Sequence, residues 1–333
     1  MTRPTFSARM LCFLRGPALV AMLIGCAAVV TAQQASQPAQ SSSPTATGST
    51  VPLIQAEVSD QPGGSGKKLI ADQAEYNAFI AATKTEDPKE RAEAFESFAQ
   101  KYPKSVVATD ALEEAMAAWQ TVGDSVKVLE VAKEILTSDQ GNVRALAIVV
   151  ALDRVSAAQG DSAALDELCL DSTGGMRVIS MWKKPTDMPD ADFAKLRKQM
   201  DIIFNGAAGY CALQQRDFSQ ARDWYSRVLQ ADPTDLQDTY QLAIADLEMT
   251  PIDANGFWYC AHAIYLAQNS SNAGAAGGME SYCKPKYVAY HGNDQGWDSV
   301  MTMGATRSNL PGEFAAAISP GPKPPAPPAA PQD

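Results

Sequence analysis

Along most of the chain, apolar residues recur at the three- and four-residue spacing of an amphipathic helix, and runs that alternate with period two are almost absent. A helical pattern opens over residues 74–80. A second, over 89–101, carries Ala92, Phe95 and Phe98 on one face, and Tyr102-Pro103 stops it because proline cannot continue a helix. The spacing predicts a pair of helices over 108–120 and 125–137, joined by the turn Val122-Gly123-Asp124, and another helix over 143–158 that ends near Gly160. Residues 161–200 break the period. Asp171-Ser172-Thr173-Gly174-Gly175 and Lys183-Lys184-Pro185-Thr186-Asp187-Met188-Pro189 read as loops, and Asp190-Ala191-Asp192 reads as the cap of the following helix. Lys183 and Lys184 beside Trp182 read as a solvated loop in preference to a lip for an acidic partner. A helix over 256–268 carries Phe257, Trp258 and Tyr259 in succession, so some of these rings must be buried against neighbours.

Both ends lack this periodicity. Residues 33–68 are rich in Gln, Ser, Pro, Thr and Gly and read as a disordered tether, and residues 305–333 close with Pro320-Gly321-Pro322-Lys323-Pro324-Pro325 and read as a disordered tail. The intervening stretch, 69–304, is the expected folded domain. Gly63-Gly64-Ser65-Gly66-Lys67 is no phosphate loop, since it lacks the earlier Gly and is followed by Lys68 where Ser or Thr is required. Residues 1–32 read as an export signal: a basic stretch ends at Arg15, and an uncharged run follows from Pro17 to Val30. Two cleavage readings stand. Val30-Thr31-Ala32 offers a small-residue peptidase site, and Leu23-Ile24-Gly25-Cys26 resembles a bacterial lipobox in which Cys26 would be lipidated. A retained anchor is a third arrangement. All three place the chain outside the cytoplasm, in the periplasm or membrane-anchored and facing it.

Composition adds one exclusion. The chain is 46% hydrophobic and 20% charged, enough for a core, with abundant Ala and few aromatics, which favours close-packed helices. Its formal charge is −11, and without Arg3, Arg9 and Arg15 it holds 24 basic against 38 acidic residues, or −14. Such a surface repels phosphate backbones, so nucleic acid is not an expected partner.

Internal repetition is the most informative feature. Counting Ile202 as the first position of a unit ending at Asp235, Gly209 falls at position 8, Ala221 at 20, Tyr225 at 24 and Pro233 at 32. These small, small, aromatic and proline positions resemble the roughly 34-residue tetratricopeptide pattern. The early Trp and Tyr positions hold Asn205 and Ala212, so the match is partial. Alignment on Pro103 gives a degenerate unit from Asp72 with Phe95 at position 24, and the next, from Thr109, ends at Ser138-Asp139-Gln140-Gly141-Asn142. The resemblance covers roughly residues 70–270. Tyr102-Pro103-Lys104-Ser105, Asp238-Thr239-Tyr240-Gln241-Leu242-Ala243 and Tyr290-His291-Gly292-Asn293-Asp294-Gln295-Gly296-Trp297-Asp298 are similar to exported bacterial tetratricopeptide proteins of unassigned role. The resemblance implies an all-α fold, an α/α superhelix of stacked helix pairs closed by capping helices, with a concave face that binds a protein or peptide. By register it places Tyr210, Gln214, Tyr240, Arg144 and Arg154 on that face.

The expected function is therefore that of an exported scaffold for protein–protein interaction, with no enzymatic activity and no cofactor. One alternative is an envelope-assembly lipoprotein anchored through Cys26, resembling the tetratricopeptide lipoproteins of outer-membrane barrel assembly in fold and address only. Another is an enzyme with a site near His291, which would need His291, Asp294 and a further polar group to converge. His262 and His291 lack the fixed helical spacing of a zinc motif, so no metal site is expected. Beyond the signal, the cysteines are Cys169, Cys211, Cys260 and Cys283, with no CxxC pair. Cys211 reads as a small buried thiol. Cys260 and Cys283 are a candidate disulfide, because residues 270–277 read as a loop joining two antiparallel helices that carry them at comparable distances from it. The mismatch of about four residues is roughly 6 Å along a helix.

Overall fold

The structure is a computed structural model that describes residues 68–184 and 188–321. The expected signal, Cys26 and almost all of the expected tether lie outside the described residues. Among those residues the fold is all-α: thirteen α-helices and one short 3-10 turn, with no strand. The helices group into two compact units, the first running to Leu152 and including Val178–Leu196, the second comprising Asp153–Arg177 and the residues from Arg197.

In the first unit α1 (Gln73–Thr83), α2 (Pro88–Lys101), α3 (Ala108–Val122) and α4 (Ser125–Ser138) pack each on the next. Aspartates start three of them. Asp72, Asp87 and Asp124 accept the backbone N–H of Glu75, Glu90 and Lys127, satisfying donors that the first turn leaves orphaned. Gly123, at φ 84°, ends α3 in the left-handed conformation that glycine adopts without strain. The acidic excess is thus partly spent at helix N-termini, where a negative charge also meets the positive end of the helix dipole. The core is aromatic: Phe79 packs edge-on against Phe95 and Phe98 at ring-centroid distances of 5.6 and 5.3 Å. Helix α5 (Val143–Ala158) begins in this unit, its first turn capped by Asn142, whose side chain accepts from Ala145 N.

The second unit holds the end of α5, most of α6 (Ser162–Met181) and of α7 (Asp190–Gln214), then α8 (Phe218–Ala231), α9 (Leu236–Glu248) and α10 (Asn255–Gln268). A 3-10 turn, Ala273–Ala275, leads to α11 (Ala276–His291), α12 (Trp297–Thr306) and the short α13 (Phe314–Ala317). Asp161, Asp217 and Asp235 repeat the aspartate start. A Cβ on Gly209 of α7 would lie 2.8 Å from the Tyr225 ring of α8, so this position admits no larger residue without displacing the ring.

Three expectations need correction. Asp171-Ser172-Thr173-Gly174-Gly175 is not a loop but lies inside α6. Gly175 serves there as a contact point, since a Cβ would stand 2.3 Å from the Phe204 ring. The segment expected to be unstructured from residue 305 remains packed to residue 321: α12 continues to Thr306, and Phe314 and Ile318 are only 3% and 6% exposed. Cys211 is not a free thiol, because it is bonded to Cys169, with Cα atoms 5.6 Å apart.

Candidate functional site

Of the residues that the resemblance assigns to a concave face, Gln214 alone is exposed. Tyr210 and Tyr240 are buried, and Arg144 and Arg154 are nearly so. An open groove formed by these five side chains is therefore corrected: four of them are occupied within the fold.

In the second unit, Arg154 near the end of α5 forms a buried ion pair with Asp238 on α9 and lies over the Tyr210 ring, 5.9 Å from its centroid. Gly206 makes room for the pair, since a Cβ there would approach Asp238 Oδ2 to 2.5 Å and Arg154 Nη1 to 2.7 Å. Burial alone would favour a neutral Arg154, but Asp238, and to a lesser degree Tyr225, outweigh it and hold the guanidinium charged. Asp235, the N-cap of α9, accepts from Asp238 N at 2.8 Å. Burial and then the Asp238 charge push its pKa up to about 7. The Tyr225 hydroxyl, buried beside the pair, is also pushed well up by burial.

Two further polar groups line the end of α9. Asp246 is buried, and burial followed by the charge of Asp253 raises its pKa to about 8. Arg222 of α8 reaches Asp253 at 3.4 Å, and Tyr259 of α10 lies close enough to both acids to feel their charge. Beyond them, Tyr282 donates to Glu248 at 2.8 Å, Lys286 pairs with Glu248 at 2.8 Å, and Tyr240 meets Tyr282 edge-on at 6.3 Å.

In the first unit, Arg144 approaches Glu113 at 3.8 Å, and Glu113 also accepts from the Asn142 side-chain amide. Burial raises the Glu113 carboxyl above its ordinary range, and Arg144 and Asn142 oppose that rise. Lys184 donates to Met188 O at 3.0 Å and pairs with Asp190 at 2.6 Å, so it is engaged at the start of α7.

Each histidine meets a backbone carbonyl: His262 Nδ1 lies 2.8 Å from Gly304 O, and His291 Nδ1 lies 2.8 Å from Ser319 O. Trp258 stacks on His262 at 4.8 Å. Among the described residues no group of three or more His, Cys, Asp or Glu side chains is placed to hold a metal ion. Cys260 of α10 and Cys283 of α11 form a disulfide with Cα atoms 6.1 Å apart.

Sequence reasoning missed a groove in the first unit, lined by Lys89, Glu93, Glu96, Trp119, Val122, Asp124 and Lys127, with a volume of about 530 Å³. Trp119 is buried at its floor and donates its Nε1–H to Glu96 at 3.1 Å. Val122 and Val126 stand 43% and 65% exposed at the α3–α4 turn. The signal was present in Val126, an apolar residue on the same helix face as Glu130 and Lys133. No family model matches the chain, and no curated protein matches it either.

Proposed function

We propose that the protein is an exported helical scaffold that holds another protein, and that the Trp119–Val122 groove is the surface that does so. The observation that carries this reading is exposed apolar side chains beside a groove walled by charges of both signs. Val122 and Val126 leave much of their apolar surface in water, and a partner segment would cover it. Lys89 and Lys127 stand with Glu93, Glu96 and Asp124 at the rim, which suits an extended or helical peptide carrying mixed charge. Export is supported by the pairing of every described cysteine in a disulfide, a state that an oxidising compartment maintains and the cytosol does not. Cys26, outside the described residues, leaves the address open between a free and a lipid-anchored form, and sensitivity of its processing to globomycin decides between them.

A photo-cross-linking residue at Val126, in the chain expressed with its own N-terminus, tests the reading. The expected result is an adduct of discrete mass in the cell envelope that weakens when Val122 becomes Asp. A chain retained in the cytoplasm, or one that gives no adduct, contradicts it.

A further inference from the structure

After α12 the chain turns back as a strap over residues 307–321. Of these residues only Phe314 and Ile318 are buried, four positions apart, with Leu310 partly buried four positions earlier. They enter the apolar cluster that contains Phe257 and Ile264 of α10, Tyr287 of α11 and Trp297 of α12. Two hydrogen bonds tie the strap to the fold: His291 Nδ1 to Ser319 O at 2.8 Å, and Gly321 N to Tyr290 O at 2.8 Å. Its remaining hydrogen bonds are local, such as Phe314 N to Pro311 O at 3.0 Å.

This is how a short peptide docks in a helical groove: anchors at a four-residue spacing, one helical turn, with Ala315 partly buried and Ala316 and Ala317 exposed between them. Few interactions hold it. Two large buried side chains, the partly buried Leu310 and Ala315 and two hydrogen bonds oppose the cost of fixing fifteen residues, so local opening is easier than loss of α10, which is buried along nearly its whole length.

We infer that residues 307–321 are a built-in ligand, covering a hydrophobic site on α10, α11 and α12 that a partner peptide takes when the strap opens. The partner carries two large apolar side chains four residues apart, an aromatic first and a branched aliphatic second, in a segment able to form one helical turn. His291 serves as the latch at the strap's far end. The inference deepens the scaffold reading but concerns the second unit, so the cross-linking result at Val126 neither supports nor defeats it.

Hydrogen exchange on the unmodified chain gives the first test. Amides over 314–318 should exchange by local opening roughly a hundredfold or more faster than those at the centre of α10. Equal exchange would show that the strap is an integral part of the core and overturn the inference. The second test uses the full chain with Phe314→Ala and Ile318→Ala, together with a synthetic peptide of residues 310–321. The peptide should bind saturably to this variant, and about a hundredfold more weakly to the unmodified chain, where the tethered strap competes at millimolar effective concentration. A peptide carrying the Phe314→Ala change should bind at least about tenfold more weakly. Absence of binding to a variant that retains its helical circular dichroism would overturn the inference, and should the variant fail to fold, the exchange experiment decides alone.

Discussion

The two units bury different chemistry. The first is centred on a Phe79–Phe95–Phe98 cluster, and its buried acids, Asp110 and Glu113, are met by Lys68, Arg144 and Asn142. The second contains both disulfides and a set of acids, among them the partly buried Asp235 and the buried Asp246, both raised to near-neutral pKa values. All-α packing alone therefore does not fix how a unit responds to its surroundings. The first unit should be nearly indifferent to thiol reductants, whereas the second couples its stability to redox state and to pH.

The largest expected effect comes from breaking the buried ion pair of the second unit. Asp238→Ala leaves Arg154 charged and uncompensated, and should destabilise by about 3–5 kcal/mol. Thermal unfolding followed by circular dichroism measures it. An unchanged melting temperature would show that the pair is open to water. Gly209→Trp should destabilise by several kcal/mol through overpacking against Tyr225, of the order seen when cores are overfilled.

Reduction acts on the second unit alone, which contains both disulfides. The Cys169–Cys211 and Cys260–Cys283 bonds close 42- and 23-residue separations, and losing either should cost about 2–4 kcal/mol. Exchange protection read separately for each unit should fall in the second and hold in the first.

The pH dependence follows from the raised carboxyls. A carboxyl whose folded pKa lies above its unfolded value binds its proton more tightly when folded. Its contribution is therefore fully present below about pH 4 and is lost as pH rises through the folded value, about 7 for Asp235 and about 8 for Asp246. Protection of α9 should accordingly decline between pH 5 and pH 8, and Asp246→Asn should flatten that decline. Glu113 acts in the same direction in the first unit, so the decisive reading is the part of the slope that Asp246→Asn removes. The smallest effect belongs to the first unit: Trp119→Phe removes the bond to Glu96 and should cost roughly 1 kcal/mol.

Much of the fold was legible because helices announce themselves locally. The spacing of Ala92, Phe95 and Phe98, the stop at Pro103 and the turn at Gly123 each depend on a few adjacent residues. The Gly209–Tyr225 contact was legible because a small residue opposite an aromatic one has a direct steric meaning. Hairpin arithmetic set Cys260 opposite Cys283, and the intervening 3-10 turn leaves their Cα atoms 6.1 Å apart.

What escaped the sequence depended on distant partners. Asp171-Ser172-Thr173-Gly174-Gly175 has loop chemistry, and only the Phe204 ring on another helix explains a glycine within α6. Cys211 gave no sign of Cys169, 42 residues away. Register alone assigned Arg154 and Tyr210 to an open face, whereas Asp238, 84 residues from Arg154, draws the guanidinium inward. The strap was hidden because Phe314 and Ile318 stand amid Gly, Pro and Ala, a composition that otherwise reads as unstructured.

Peptide mapping of the unreduced protein, recovered from the envelope of cells that express it with its own N-terminus, tests the proposed export together with the two disulfides of the second unit. The expected result is Cys169 linked to Cys211 and Cys260 linked to Cys283, with no free thiol at any of the four. Free thiols at these positions, in protein found in the cytoplasm, would contradict it.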